Sequence, residues 1–385
     1  MGEGQGFGDC SMSADILFQP VKIGAMEVPN RIAMAPMTRE FSPDGIPGGD
    51  VVDYYRRRAE GGVGLIITEG MAVNAAGAHD GPIPLFFQEE TVRASAAIAG
   101  AVHAAGGKIV PQLWHVGVQD SPTEVNPTTV KQKPRRVGPS GLLGTGDLGG
   151  DTLDDNSIAD TIADFARATR AARDAGFDGV EIHGAHGYLP DQFLWPRTNR
   201  RTDGYGIAAD RTRFVVELIK ACKAVGGSDF PFILRFSQWK TFDYDARLAE
   251  TPDELAAILQ PLADAGVDAF HCSTRRFWEP GFAGNPRTLA GWARKLAGVP
   301  VIAVGSVTLE ADFKESLSEE TGGIAESAPR TKDVETVARL IADGEFDMIA
   351  VGRAMIANPD WANLVREGDE AELRAFSREQ LARLD

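Results

Sequence analysis

The stretch Glu181-Ile182-His183-Gly184-Ala185-His186-Gly187-Tyr188 sets two imidazoles and a phenol within six residues. Histidines spaced HxxH serve as two ligands of a metal, as two satisfied surface side chains, or as paired N–H donors to an oxygen that gains negative charge. No third metal ligand of suitable type stands nearby in the sequence. A lone tyrosine is ordinarily a packing residue; beside such a pair it reads as catalytic.

The elements that must position these groups are short apolar runs alternating with longer amphipathic ones, the pattern of repeated βαβ units around a parallel sheet. Strand candidates fall at 31–36 (RIAMAP), 64–70 (GLIITEG), 108–113 (KIVPQL), 178–184 (DGVEIHG), 231–236 (PFILRF), 268–272 (DAFHC), 300–305 (PVIAVG) and 347–352 (DMIAVG). That makes eight. Helix-period segments lie between them, among them 89–105, 158–175, 211–225 and 332–342. Thr251-Pro252-Asp253-Glu254 offers an N-cap, a proline at the first helical position and a capping-box glutamate, and Gly106-Gly107, Gly176 and Gly266 stand where helices should stop. The fold class expected is α/β, a single (β/α)8 TIM barrel over 17–385, with residues 1–16 a flexible extension. Residues 17–29 alternate like a hairpin able to plug the barrel floor. Residues 116–155, rich in Pro and Gly, form a long loop after the third strand, expected to cover the active site. In such barrels the active site sits at the C-terminal ends of the strands, where the His183–Tyr188 segment falls.

Composition narrows the function classes. With 39 basic and 55 acidic side chains the formal charge is −16, which repels nucleic acid and anionic membrane surfaces. The nearest candidate for a basic patch, Lys131 to Arg136 (KQKPRR), is short, Pro-interrupted and reads as a solvated loop. Cys10, Cys222 and Cys272 are scattered, with neither a disulfide framework nor the spacing of an iron–sulfur cluster. No apolar run reaches the roughly 18 residues of a membrane span, and the N-terminus lacks the build of a signal peptide. A cytoplasmic protein is expected, with no nucleic-acid or membrane partner, and a homo-oligomer is compatible with all of this.

The segment GFDGVEIHGAHGYLPDQFLWPRTNRRTDGYG (176–206) resembles the fourth-strand signature of the old yellow enzyme family, and the resemblance runs from Leu17 to about Asn358. It implies FMN held in the barrel, NADH or NADPH as reductant, and a small α,β-unsaturated substrate: an enone, nitroalkene or maleimide. Hydride would pass through the flavin N5 to the alkene β-carbon. His183 and His186 would hold the substrate's electron-withdrawing group, and Tyr188 would protonate the α-carbon. The first-strand motif RIAMAPMTR implies that Pro36, Met37 and Thr38 face the isoalloxazine, with the threonine hydroxyl near the flavin O4 and the substrate. Gly70 and Gln112 match positions at the flavin's pyrimidine edge, and Arg235 matches an arginine near N1 and O2. Trp114 stands on the substrate side. Gly305-Ser306 and Gly352-Arg353 match the two segments that cradle the phosphate.

The chain departs from that family's pattern at Pro190, Trp195, Arg197, GYGIAAD (204–210) and Ser306, the last replacing a common glycine. A larger relative with an iron–sulfur cluster is disfavoured by the few cysteines and the end at Asp385. The rival from another class is a non-redox barrel, an aldolase or isomerase acting on a phosphorylated metabolite.

Overall fold

Residues 14–119, 136–310, 317–318, 323–324 and 327–385 are described in the computed structural model. Eight parallel strands close a barrel: β1 (Ile32–Met34), β2 (Leu65–Ala72), β3 (Lys108–Trp114), β4 (Val180–His183), β5 (Phe232–Ser237), β6 (Ala269–Ser273), β7 (Val301–Val304) and β8 (Met348–Val351). Consecutive strands are neighbours, and β8 closes on β1 through the pair Ile349–Ile32. Among the described residues, the main helices after the successive strands are α1 (Gly49–Glu60), α2 (Glu89–Ala104), α3 (Asp155–Asp174), α4 (Arg213–Gly226), α5 (Pro252–Asp264), α6 (Leu289–Ala297), α7 (Asp333–Ala342) and α8 (Trp361–Glu367), with shorter helices also after β4 and β8. The strands are buried on both faces, which is why they read as near-continuous apolar runs.

Alternation along the strands sorts the barrel interior into layers. Ala33, Leu65, Val110, Ile233, Ala269, Ile302 and Met348 form an apolar floor in one cluster with Ile23, Met26 and Val28. Those last three belong to the N-terminal hairpin, Val21–Ile23 paired with Met26–Val28, which therefore plugs the barrel as its alternation predicts. The hairpin is shorter than the 17–29 expected. Ala14–Phe18 is instead a 3₁₀ turn that buries Leu17. The expected flexibility of 1–13 lies outside the described residues. One step up from the floor the inward residues become polar, with Gln112, Glu181, Arg235 and His271 all buried.

The cap at Thr251 forms, its Oγ1 accepting the Glu254 N–H at 3.2 Å. The glutamate reaches back one residue further than a capping box requires, to the Glu250 N–H at 2.8 Å. Of the long loop after β3, the described parts pack beside the barrel mouth: Arg136 Nη1 donates to Ala78 O at 2.6 Å, and Gln119 Nε2 to His186 O at 3.3 Å. The middle of that loop, on which its role as a cover depends, lies outside the described residues.

After α8 the chain returns across the mouth. Arg39 donates to the carbonyls of Gln380 and Arg383 at 3.1 and 2.7 Å, and Arg57 and Arg58 bond those of Leu384 and Asp385.

Candidate active site

A cavity of about 420 Å³ opens at the C-terminal ends of the strands. That falls within the roughly 300–1,000 Å³ of small-molecule and cofactor sites. Its wall on the β4 side is built by a chain reversal: His186 and Gly187 both adopt left-handed backbone, φ 64° and 83°. A histidine there is strained. The strain is held by three bonds: Asp191 Oδ2 accepts the Gly187 N–H at 2.6 Å, Thr241 Oγ1 donates to His186 O at 2.9 Å, and Ser237 Oγ accepts the His186 N–H at 3.0 Å. Asp191 is tied in turn by Lys240 Nζ at 2.8 Å, both side chains buried. The reversal brings the three chemistry-bearing rings together. Ring centroids lie 5.0 Å apart for His183 and His186, 4.6 Å for His183 and Tyr188, and 5.0 Å for Trp114 and Tyr188.

Burial, reinforced by the Arg235 cation, holds both histidines well below the ordinary imidazole range, so both are neutral. His183 Nδ1 accepts the Ala185 N–H at 3.4 Å, which puts its proton on Nε2. His186 Nε2 pairs with Ser273 Oγ at 2.8 Å, and the same oxygen accepts from Arg235 Nη2 at 3.3 Å. Burial pushes the Tyr188 hydroxyl up to about 12, opposed by its hydrogen bond to Thr241 and by Arg235. Among the described residues, no group of three or more His, Cys, Asp or Glu is placed to hold a metal ion.

At the opposite end the wall is backbone. Gly305 has no room for a side chain: a Cβ there would stand 2.6 Å from Thr274 Oγ1 and 2.9 Å from the Phe277 nitrogen. Ser306 adopts left-handed backbone, φ 50°, and its hydroxyl donates to Arg275 O at 2.8 Å. A serine in place of glycine is thus accommodated by a bond that the glycine would lack. Gly352, Arg353 and Arg275 complete this end. At the base lie Gln112 and Arg235, whose Nε is buried without a partner.

Thirteen of the fourteen residues singled out in the sequence line this one cavity: Pro36, Met37, Thr38, Gln112, Trp114, His183, His186, Tyr188, Arg235, Gly305, Ser306, Gly352 and Arg353 do, and Gly70 does not. Gly70 acts one step removed. A Cβ there would meet Trp114 Cε3 at 2.3 Å, so glycine lets the indole lie against β2. Pro190, Trp195 and Arg197 lie off the cavity wall; Arg197 stacks over the Trp195 ring at 4.9 Å. The structure adds Trp239, Thr241 and Tyr244 from the loop after β5, Arg275 after β6, and Leu381 from the returning C-terminal segment. His186, Trp239 and Tyr244 form a continuous stack, with centroids 4.1 and 5.2 Å apart.

The model of the NADH:flavin oxidoreductase / NADH oxidase family matches residues 16–372. The chain belongs to this family. It is similar to an NADH oxidase of Thermoanaerobacter brockii, 35% identical over 375 residues, covering 93% of this chain and 52% of that protein. It is also similar to 12-oxophytodienoate reductase 7 of Oryza sativa subsp. japonica, 30% identical, covering 89% of this chain and 86% of that one. The chain thus spans about half the length of the first relative and most of the second. Its structure is similar to that of morphinone reductase in complex with tetrahydroNAD, TM-score 0.74 and 27% identity, covering 95% of this chain and 93% of that one.

Membership in this flavin oxidoreductase family removes the non-redox barrel from consideration and makes FMN the group to fit. The cavity suits it. The Cβ-free backbone at Gly305 and Gly352 with the Arg353 guanidinium matches a phosphate monoester. At the base, the orphaned Arg235 Nε and the Gln112 amide match the polar edge of a fused heterocycle.

Proposed function

We propose that this chain is an FMN-dependent ene-reductase, drawing on NADH or NADPH to reduce the activated carbon–carbon double bond of a small enone, nitroalkene or maleimide. One observation carries the reading: two neutral imidazoles and a protonated phenol converge on one wall of a cavity whose far end is shaped for a phosphate. The names of relatives add support, since one is a 12-oxophytodienoate reductase and a structural neighbour is bound to tetrahydroNAD.

When bound, FMN supplies hydride transfer between the nicotinamide and the alkene. Pro36, Met37 and Thr38 are assigned to its ring, Gln112 and Arg235 to its polar edge, and Gly305, Ser306, Gly352 and Arg353 to its phosphate. His183 offers Nε2–H to the oxygen that activates the alkene. For His186, a hydroxyl proton from Ser273 on Nε2 leaves Nδ1 carrying the ring proton, so this histidine too is a donor. Two neutral donors stabilise charge as it develops without needing to lose a proton themselves. Tyr188 delivers its phenolic proton to the α-carbon, and the Thr241 hydroxyl bonded to it steadies the phenol. Trp114, stacked 6.0 Å from His183 and edge-on to Tyr188, walls the substrate side.

Denaturing the purified protein and identifying the released flavin tests the cofactor half of this reading. FMN is expected. A colourless protein, or FAD in the supernatant, contradicts it.

A further inference from the structure

Below the cavity lies a buried carboxylate with no part in the reaction as derived above. Glu181 of β4 points into the barrel and is fully buried, as is His271 of β6. One Glu181 oxygen accepts from Gln112 Nε2 at 2.7 Å, and the other pairs with His271 Nδ1 at 2.7 Å. Burial lowers the His271 pKa against the opposing pull of Glu181, so the ring is neutral, with its single proton on the nitrogen that faces the carboxylate. A carboxylate has only lone pairs to offer. It therefore takes an N–H of Gln112 and repels the carbonyl, which removes the two-fold ambiguity of an isolated amide. Gln112 lines the cavity, and the acceptor it keeps for the cavity is Oε1.

We infer that Glu181, backed by His271, is a positioning residue for cofactor recognition: it locks Gln112 with Oε1 as acceptor for the imide N–H of the flavin ring. The barrel thereby selects a flavin that carries this proton. The inference rests on the reading of the cavity as an FMN site. A carboxylate that merely braced β3, β4 and β6 would also contribute to stability, so the readout must be the flavin itself.

Glu181→Gln keeps the shape, removes the charge and lets either end of its own amide face Gln112, which is then able to turn. In FMN-loaded wild-type protein the imide proton should ionise less readily than in free FMN, followed by the pH dependence of the flavin spectrum. In E181Q the ionisation constant of the imide should rise about tenfold over wild type. The preference of the apoprotein for FMN over 3-methyl-FMN should fall about fivefold, the worth of one neutral hydrogen bond. His271→Asn should shift both in the same direction by less, and it decides the matter by the same measurements if E181Q does not fold. Gln112→Met marks complete loss. Unchanged flavin ionisation and unchanged preference in the folded variants would overturn the positioning role and leave Glu181 a brace. A wild-type protein that binds no FMN would instead overturn the reading of the cavity.

Discussion

Tyr188 is held protonated by burial, its pKa pushed up to about 12, so it keeps a proton to give throughout the neutral range. Replacing it with phenylalanine should leave reduction of the flavin by nicotinamide intact and slow reoxidation by an enone by about 10²–10⁴-fold in rapid mixing. A nitroalkene should lose less, because its nitronate product takes a proton from water afterwards. In the proposed role of His183 and His186 as paired donors to a developing anion, both should bind a phenolate through the same nitrogens. Their alanine variants should weaken binding of a para-substituted phenol, read as a long-wavelength charge-transfer band, by about 1.5–3 kcal/mol. Bound zinc in the purified protein, with activity lost to a chelator, would favour the HxxH metal site instead. At this scale the sequence was informative where a reactive residue ends a strand, as with Gln112, Trp114, His183 and Arg235. Trp239, Thr241 and Tyr244 are not legible in the sequence although the run QWKTFDY follows β5 directly, because a polar-aromatic loop carries no periodic signal. Leu381 carries no such signal for a different reason: its segment is held at the site by Arg39, Arg57 and Arg58, which bind backbone carbonyls more than 300 residues away in sequence.

Among the elements, the loops after β4 and β5 are joined by the buried pair Lys240–Asp191, and that pair holds the reversal on which the histidines and tyrosine sit. Lys240→Met strands a buried carboxylate and should cost about 3–5 kcal/mol in urea denaturation. The double variant with Asp191→Asn should recover part of that loss. A single variant as stable as wild type would show the pair to be dispensable. At the phosphate end, Gly305→Ala drives a methyl into Thr274 and the Phe277 nitrogen, and should release flavin on dialysis while the far-ultraviolet circular dichroism stays that of a barrel. The eight strands were legible because parallel strands covered on both faces are written as unbroken apolar runs between glycine-ended helices. The N-terminal hairpin is shorter than alternation predicts, since alternation alone does not separate Leu17, buried by a 3₁₀ turn, from the paired residues 21–28. The loop after β3 has no such grammar.

For the molecule as a whole, stability should carry the imprint of Glu69, a buried carboxyl whose pKa burial pushes up to about 7 from 4.5, against the N–H donors of Arg39 and Glu40. Below pH 4.5 the group is protonated whether the chain is folded or not; between there and pH 7 only the folded chain keeps the proton. Its contribution is therefore fully present in acid and lost as pH rises, by about 3 kcal/mol across that window. The buried histidines act in the opposite sense: His115, pushed down to about 3 by burial, gives stability that is lost as pH falls below 6.5. The Glu69 part is isolated by comparing wild type with Glu69→Gln: their difference in urea midpoint should change between pH 4.5 and pH 7, and a constant difference would refute the assignment. Two half-reactions should occur in this one cavity, and an anaerobic two-step mixing experiment addresses them directly. NADH or NADPH should bleach the flavin absorption, and subsequent addition of an enone, without oxygen, should restore it with formation of the saturated product. A flavin that bleaches but stays reduced in the presence of enones, nitroalkenes and maleimides alike would contradict the proposed activity.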